Sequence, residues 1–239
     1  MLDNYHKSLS KLLEEAITLK NKIYETFSCD KEVQSASLEL DSAILGSPLS
    51  EHPGKFTTSN ILDKMKYEQI KFLKDILNNP VRIEKLFRAS EQGFKAEAFH
   101  DRCNNQSDTL VLVRTEFGKT IGGFTHYPWL PGNKGSTNDA GRRTFIFSLD
   151  MREKFVPQND NNLIFNYDSF GPTFGSGNCD IFIADECNNN NSFSYFPSTY
   201  NRVGEDKLAR NQESNRMFSG AVKEYQFRVV EYEVFKVWF

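Results

Sequence analysis

Thr109-Leu110-Val111-Leu112-Val113-Arg114-Thr115-Glu116-Phe117-Gly118-Lys119-Thr120-Ile121-Gly122-Gly123-Phe124-Thr125 decides the class of fold. Thr109–Thr115 and Lys119–Thr125 are rich in β-branched and aromatic residues, and Glu116–Lys119 between them contains a glycine suited to a turn. Two such runs across a short turn predict a β-hairpin. Downstream, further strands are expected at Thr144–Asp150, Leu163–Tyr167, Asp180–Ala184, Met217–Val222 and Glu224–Val237. Many short strands separated by polar loops predict an antiparallel sandwich of two sheets. Upstream, Ile83–Ala89 and Ala96–Cys103 read as short helices separated by Gly93. The expected class is mainly β with some α, with short helices flanking the sheets.

The last expected strand changes phase. Tyr225, Phe227 and Val229 are apolar at odd positions, whereas Val230, Tyr232 and Val234 are apolar at even ones. A period of two changes phase only through a bulge or a break, so one is expected at Val229–Val230. The core should draw on Leu110, Leu112, Phe124, Phe145, Phe147, Ile181, Ile183, Phe227 and Val234.

The front of the chain is different in texture. Leu2, Tyr5, Leu9, Leu12, Ala16, Leu19 and Ile23 form one helical stripe, which fits either a coiled coil over residues 1–45 or packing on the same chain. Ser47–Gly54 carries two prolines and a glycine and reads as a break. A second helix is expected to start near Ser59 or Asn60, either of which can cap it, and to stop at Asn78-Asn79-Pro80. These features predict a helical segment, coiled coil or hairpin over 1–79 and a β-rich domain over 80–239, with the first dispensable for folding of the second.

Composition restricts the function. Of 239 residues, 38% are hydrophobic and 26% charged, and 21 Phe and 9 Tyr favour a packed core over disorder. No run of about 18 apolar residues is present, so no membrane span is expected, and the polar first residues do not read as a signal peptide. Residues 1–79 hold ten Lys and twelve acids, and the remainder holds 19 basic and 20 acidic residues. Neither part is a basic platform, which argues against nucleic-acid binding. Cys29, Cys103, Cys179 and Cys187 suit a reduced cytosolic or nuclear setting better than a disulfide framework.

Motifs for chemistry are sparse. Gly171-Pro172-Thr173-Phe174-Gly175-Ser176-Gly177 could cradle a phosphate, but it leads into a strand and lacks a nearby Lys, so a tight turn is the competing reading. His100 and Cys103 have helical spacing and Cys179 and Cys187 bracket a strand, yet no zinc or calcium signature is present. Ser176 lacks a nucleophile elbow, and His126 lacks an evident partner. Glu231 and Glu233 could be paired carboxylates or the solvent side of a strand. Cys187, in a polar loop, could sense oxidants. No cofactor, metal site or catalytic set emerges, and turnover is not expected.

Several segments together resemble the TLDc domain of the oxidation-resistance proteins and their relatives. They are Thr109–Val113, Gly122-Gly123-Phe124-Thr125 with Trp129, Phe145–Asp150 including Phe147, Phe170–Gly175, Asp180–Asp185 and Val230–Phe235, in that order over about Val81–Phe239. Leu86–Ser90 and Gly93–His100 look like the family's opening. The resemblance marks Gly122, Gly123, Trp129, Phe147, Asp150, Gly171, Pro172, Phe174, Gly175, Asp180 and Glu231 as motif positions of structural weight. It implies a β-sandwich, protection against oxidative stress and, in several members, binding to the vacuolar proton-pumping ATPase and control of its assembly. It brings no established catalytic set.

Three functions therefore stand at this stage: a non-enzymatic interaction module acting on the proton pump, a stress-protective enzyme or redox sensor, and an adaptor assembled through the N-terminal helices. Expected partners are proteins, such as the pump's soluble sector, or, through residues 1–45, a second copy of this chain or a different helix-forming chain. The expected location is cytoplasmic, at the periphery of acidic organelles. Tyr127, Trp129, Tyr195 and Phe196 are the loop aromatics expected at a partner surface, with Trp129 and Phe196 alternatively in the core.

Overall fold

The computed structural model describes residues 59–62, 65, 67–138, 141 and 143–239, together with Lys11, Glu15 and Thr18. The chain divides into two units, Met1–His52 and Pro53–Phe239. The expected coiled coil lies outside the described residues. Within the second unit the elements run α1 (Tyr67–Ile76), β1 (Arg82–Arg88), α2 (Ala89–Gln92), α3 (Ala96–Cys103), β2 (Thr109–Thr115), β3 (Thr120–Thr125), β4 (Gly135–Thr137), β5 (Phe145–Ser148) and β6 (Glu153–Pro157). They continue with β7 (Ile164–Asn166), β8 (Thr173–Phe174), β9 (Ile181–Phe182), β10 (Ser192–Phe193), β11 (Tyr200–Asn201), α4 (Gln212–Phe218), β12 (Gln226–Phe227) and β13 (Val229–Trp238).

The strands form two antiparallel sheets, ordered β1-β13-β2-β3-β5-β6-β11 and β12-β10-β9-β8-β7-β4. The β2–β3 hairpin sits near the middle of the first sheet, where Gly118 at φ 75° closes the turn. Val111, Val113, Ile121, Ile146, Tyr232 and Val234 face the second sheet and pack with Phe174, Ile181, Ile183 and Phe227. Their alternating neighbours Leu110, Leu112, Phe124, Phe145, Phe147, Phe235 and Val237 form a separate core on the opposite face, covered by Ile61, Leu62, Leu73 and Leu77. All nine expected core residues are buried, but they belong to two layers.

This second layer corrects the expected domain boundary. Ile61, Leu62, Leu73 and Leu77, with Met65, Phe72 and Ile76, cover the outer face of the first sheet and so belong to the β-rich unit, whereas a boundary at 79/80 would cut through that packing. Ser59 Oγ accepts the Leu62 N–H at 2.9 Å, as a cap would. At the other end Asn78 and Asn79 both take left-handed φ values of 56° and 50°, so the helix is stopped by these two residues before Pro80.

Two expected elements change type. Ile83–Ala89, read as helix, is largely β1, paired with β13 from Arg82↔Trp238 to Arg88↔Glu233. Its register shifts between Lys85 and Phe87, so Ile83, Leu86 and Phe87 acquire the i, i+3, i+4 spacing of a helix while lying in a bulged strand. Met217–Val222, read as strand, overlaps α4, whose N-cap Asn211 accepts the Ser214 N–H at 2.9 Å. Gly220, at φ 84°, follows the helix end.

The expected irregularity at Val229–Val230 is present. Val229 pairs with Thr115 and Glu231 with Arg114, leaving Val230 as the extra residue. Val230 points outward and is 58% exposed. Immediately before it the chain passes from β12 in one sheet to β13 in the other, and the bulge makes that change compatible with both pleats.

Candidate functional site

The motif positions are engaged in framework contacts. A methyl group on Gly122 would lie 2.1 Å from the Val111 carbonyl oxygen and 2.7 Å from the Phe147 ring. One on Gly123 would lie 2.5 Å from the Phe174 ring. The glycine pair thus admits one phenylalanine to each face of β3, and Phe147 and Phe174 are both fully buried. Trp129 is buried as well; its indole N–H donates to Thr109 Oγ1 at 2.9 Å, and its ring meets Phe99 and Phe174 edge to face. Asp150 Oδ2 accepts the Thr120 N–H at 2.6 Å, which ties β5 to the start of β3.

The glycine-rich segment is a tight turn around a carboxylate. Gly171 is buried with Pro172 and donates its N–H to the Ile183 carbonyl at 2.9 Å. Gly175, at φ 90°, has no room for a side chain: a methyl group there would meet Thr199 Oγ1 at 2.9 Å and Asp180 Oδ2 at 3.0 Å. Asp180 is fully buried and accepts the N–H groups of Ser198 at 2.6 Å and Thr199 at 2.7 Å. Burial pushes its carboxyl up to about 7, against the opposing pull of these donors. The loop thus closes on the Thr199 hydroxyl and the Asp180 carboxyl of its own chain, so the tight-turn reading replaces the phosphate cradle.

The acidic strand face is not on the solvent side. Glu233 is completely buried, and Glu231 is 8% exposed. Glu233 Oε1 receives Arg88 Nε at 2.7 Å and the Asn60 N–H at 2.8 Å, and its Oε2 receives the Ser59 hydroxyl at 2.5 Å. Arg88 Nη1 donates to Glu91, while its Nη2 is buried without a hydrogen-bond partner. Glu231 Oε1 accepts the Ser90 N–H at 3.1 Å in the first turn of α2. These two carboxylates hold β1, α2 and the Ser59 turn on β13, and they do not form a free acid–base pair. The sequence shows Ser59 as a cap candidate and Arg88 as part of a short helix, but neither as a partner of Glu233; an acidic residue among apolar neighbours in the last strand is the one local signal that a partner exists.

The other polar suggestions separate in the same way. His100 bonds Asn104 Oδ1 at 2.9 Å and the Tyr167 and Phe170 carbonyls at 3.2 and 3.0 Å, which fixes α3 to the loop after β7. Cys103 is buried beneath it, and burial raises its thiol. Burial likewise pushes Cys179 and Cys187 up to about 12, so neither offers a thiolate at neutral pH; the oxidant-sensing reading of Cys187 is overturned by its enclosure. His126 Nδ1 contacts Asp108 Oδ1, and Lys236 Nζ approaches Asp108 Oδ2 at 3.7 Å. Among the described residues no group of three or more His, Cys, Asp or Glu converges in a way that could hold a metal ion. No helix among them is long and apolar enough to cross a membrane.

Of the four loop aromatics, Phe196 is completely buried and stacks on Phe218, which places it with Trp129 in the core and removes both from a partner surface. Tyr127 is half-buried against the inner core. Tyr195 is half-buried in a row of rings on the outer side of the second sheet, with Phe193 at 5.3 Å and Tyr225 at 5.0 Å.

No curated protein matches the chain. Among known families, the TLDc domain matches residues 55–238, which takes in the helix over the first sheet together with every described strand. The segment that covers Leu110, Phe147 and Phe235 thus lies inside the match, and the chain belongs to the TLDc domain family.

Proposed function

We propose that this protein is a binding module that works without turnover, acting on the vacuolar proton-pumping ATPase and through it in protection against oxidative stress. The observation that carries this reading is the family match over residues 55–238. The geometry agrees with a binding role: the motif residues are committed to packing and capping, and the described cysteines are enclosed. A cytoplasmic location at the periphery of acidic organelles follows from the same reading.

The test is a binding assay of the purified full chain against the pump's soluble catalytic sector, in each nucleotide state, with another TLDc protein as positive control. Saturable binding is expected. Tyr195→Ala should weaken it while leaving the melting temperature within about 2 °C, since half-exposed positions away from the core contribute about 0.5 kcal/mol or less. Tyr127→Ala should weaken it with a larger loss of stability, because its ring packs on the core. Absence of binding in every nucleotide state would reject the pump as partner.

A further inference from the structure

The outer side of the second sheet carries a continuous aromatic row that the framework does not use. Ladder pairing places Ser136 opposite Phe165, Thr173 opposite Phe182, Phe182 opposite Phe193 and Phe193 opposite Gln226. Loop rings extend this line. Tyr167 stacks on Phe170 at 4.9 Å, Phe170 meets Phe182 edge to face at 4.8 Å, and Phe182 stacks on Phe193 at 4.1 Å. Phe193 then meets Tyr195 edge to face, and Tyr195 leans on Tyr225. All these rings remain partly exposed, whereas the outer side of the first sheet is covered by Ile61, Leu62, Leu73 and Leu77. A single exposed aromatic residue is ordinary; seven in contact on one face mark an interaction surface.

Charge selects what this surface accepts. The cross-strand row holds aromatic, hydroxyl and amide side chains and no ionised group. Exposed charges of both signs, Lys134, Asp168, Lys223, Glu224 and Arg228, are confined to the segments flanking the row. A charged segment laid here would lose water and gain no counter-charge. The available donors are the Tyr167, Tyr195 and Tyr225 hydroxyls and the Gln226 amide nitrogen, whose oxygen is engaged by Asn191 at 2.7 Å. The complement is thus neutral, apolar and rich in hydrogen-bond acceptors.

A polyproline II segment has this chemistry: its rings are apolar, and its carbonyls are acceptors without neighbouring N–H groups. Sugars stack on open ring faces, whereas Phe182 and Phe193 cover each other's faces and offer the notches at their edge-to-face junctions with Phe170 and Tyr195. We infer that the aromatic row Phe165–Phe170–Phe182–Phe193–Tyr195 is a docking site for a neutral, proline-rich segment of a partner protein.

The inference rests on the reading of the chain as a binding module, and its test needs no pump, so the two can fail separately. The full chain is titrated by calorimetry with an end-blocked peptide of about ten prolines and, separately, with a neutral glucose oligomer of similar length. Saturable binding of the peptide alone is expected. Phe182→Leu, which keeps an apolar side chain, should weaken it about tenfold, in line with the loss of one aromatic contact. Tyr195→Phe, which removes only a hydroxyl, should weaken it about threefold. If Phe182→Leu does not fold, Tyr167→Phe and Tyr195→Phe carry the test. No saturable binding, affinity unchanged in the folded variants, or binding of the sugar in place of the peptide would each overturn the inference.

Discussion

Asp180 shows how one residue can be both motif and liability. It stands fully buried without a cation partner, held by backbone N–H groups of the 198–200 turn. Its carboxyl titrates near 7 in the folded chain, above an ordinary value of 3.8. The folded state therefore holds this proton more tightly than the unfolded state. Stability from the group is present in full below about 3.8. It declines as pH rises towards 7 and is gone above that, a change of up to about 4 kcal/mol. Asp180→Asn should remove this part of the pH dependence, although it also loses one acceptor and lowers stability at acidic pH. Urea unfolding of both proteins at pH 5 and pH 7.5 checks this, and identical pH dependences would show that Asp180 titrates normally. The aspartate was legible as a motif position, but its burial was not, because its donors lie 18 and 19 positions downstream. Glu233 was misread for the same reason, with Arg88 lying 145 positions away.

At the scale of elements, β3 is the part least able to change. Gly122→Ala would drive a methyl group into the Val111 backbone oxygen, which belongs to the neighbouring strand and cannot move without breaking the ladder. Gly123→Ala meets first the ring of Phe174, a side chain that can turn about its own torsions without breaking the ladder, although it is fully buried. Gly122→Ala is thus expected to prevent folding, and Gly123→Ala to cost about 1–3 kcal/mol by overpacking. Circular dichroism and thermal melting of the two variants give the order, and equal losses would show that the ladder relaxes. The hairpin and the Val229–Val230 bulge were readable because their signals are local, a turn glycine and a change of period. β1 was not, because its bulge imitates helical spacing and only β13, at the far end of the chain, gives it a sheet to join. Asn211 and Gly220 bracket α4 with cap chemistry, which outweighs the strand preference of Met217–Val222.

The β-rich unit is three layers deep among the described residues, with Ile61, Leu62 and the helix α1 over the first sheet and the second sheet beneath it. Composition and strand count led to the two sheets, but the third layer looked separable because the break at Ser47–Gly54 and the stop at Pro80 enclose it on both sides. A fragment starting at Pro53 should fold with the same melting temperature as the intact chain within about 5 °C. One starting at Pro80 exposes Leu110, Leu112, Phe147 and Phe235 and leaves Glu233 without Ser59 and Asn60. Each large apolar side chain uncovered costs about 1.5–3 kcal/mol, so the loss from four is comparable with a typical stability of about 5–15 kcal/mol. That shorter fragment should aggregate or remain unfolded; a monomeric, cooperatively melting 80–239 fragment would show that the helical layer is an accessory.

The placement of β13 has a consequence for how the chain is made. Val229–Trp238 lies between β1 and β2 and is the only described strand that pairs with β1. Translation produces β1 about 140 residues earlier, so at 5–20 residues per second it waits roughly 7–30 s for its neighbour. During that interval the nascent chain presents the hairpin with one open edge and both apolar faces unfinished. Ribosome-bound chains arrested before Val229 should accordingly recruit holding chaperones, and release should follow only once this strand has left the exit tunnel.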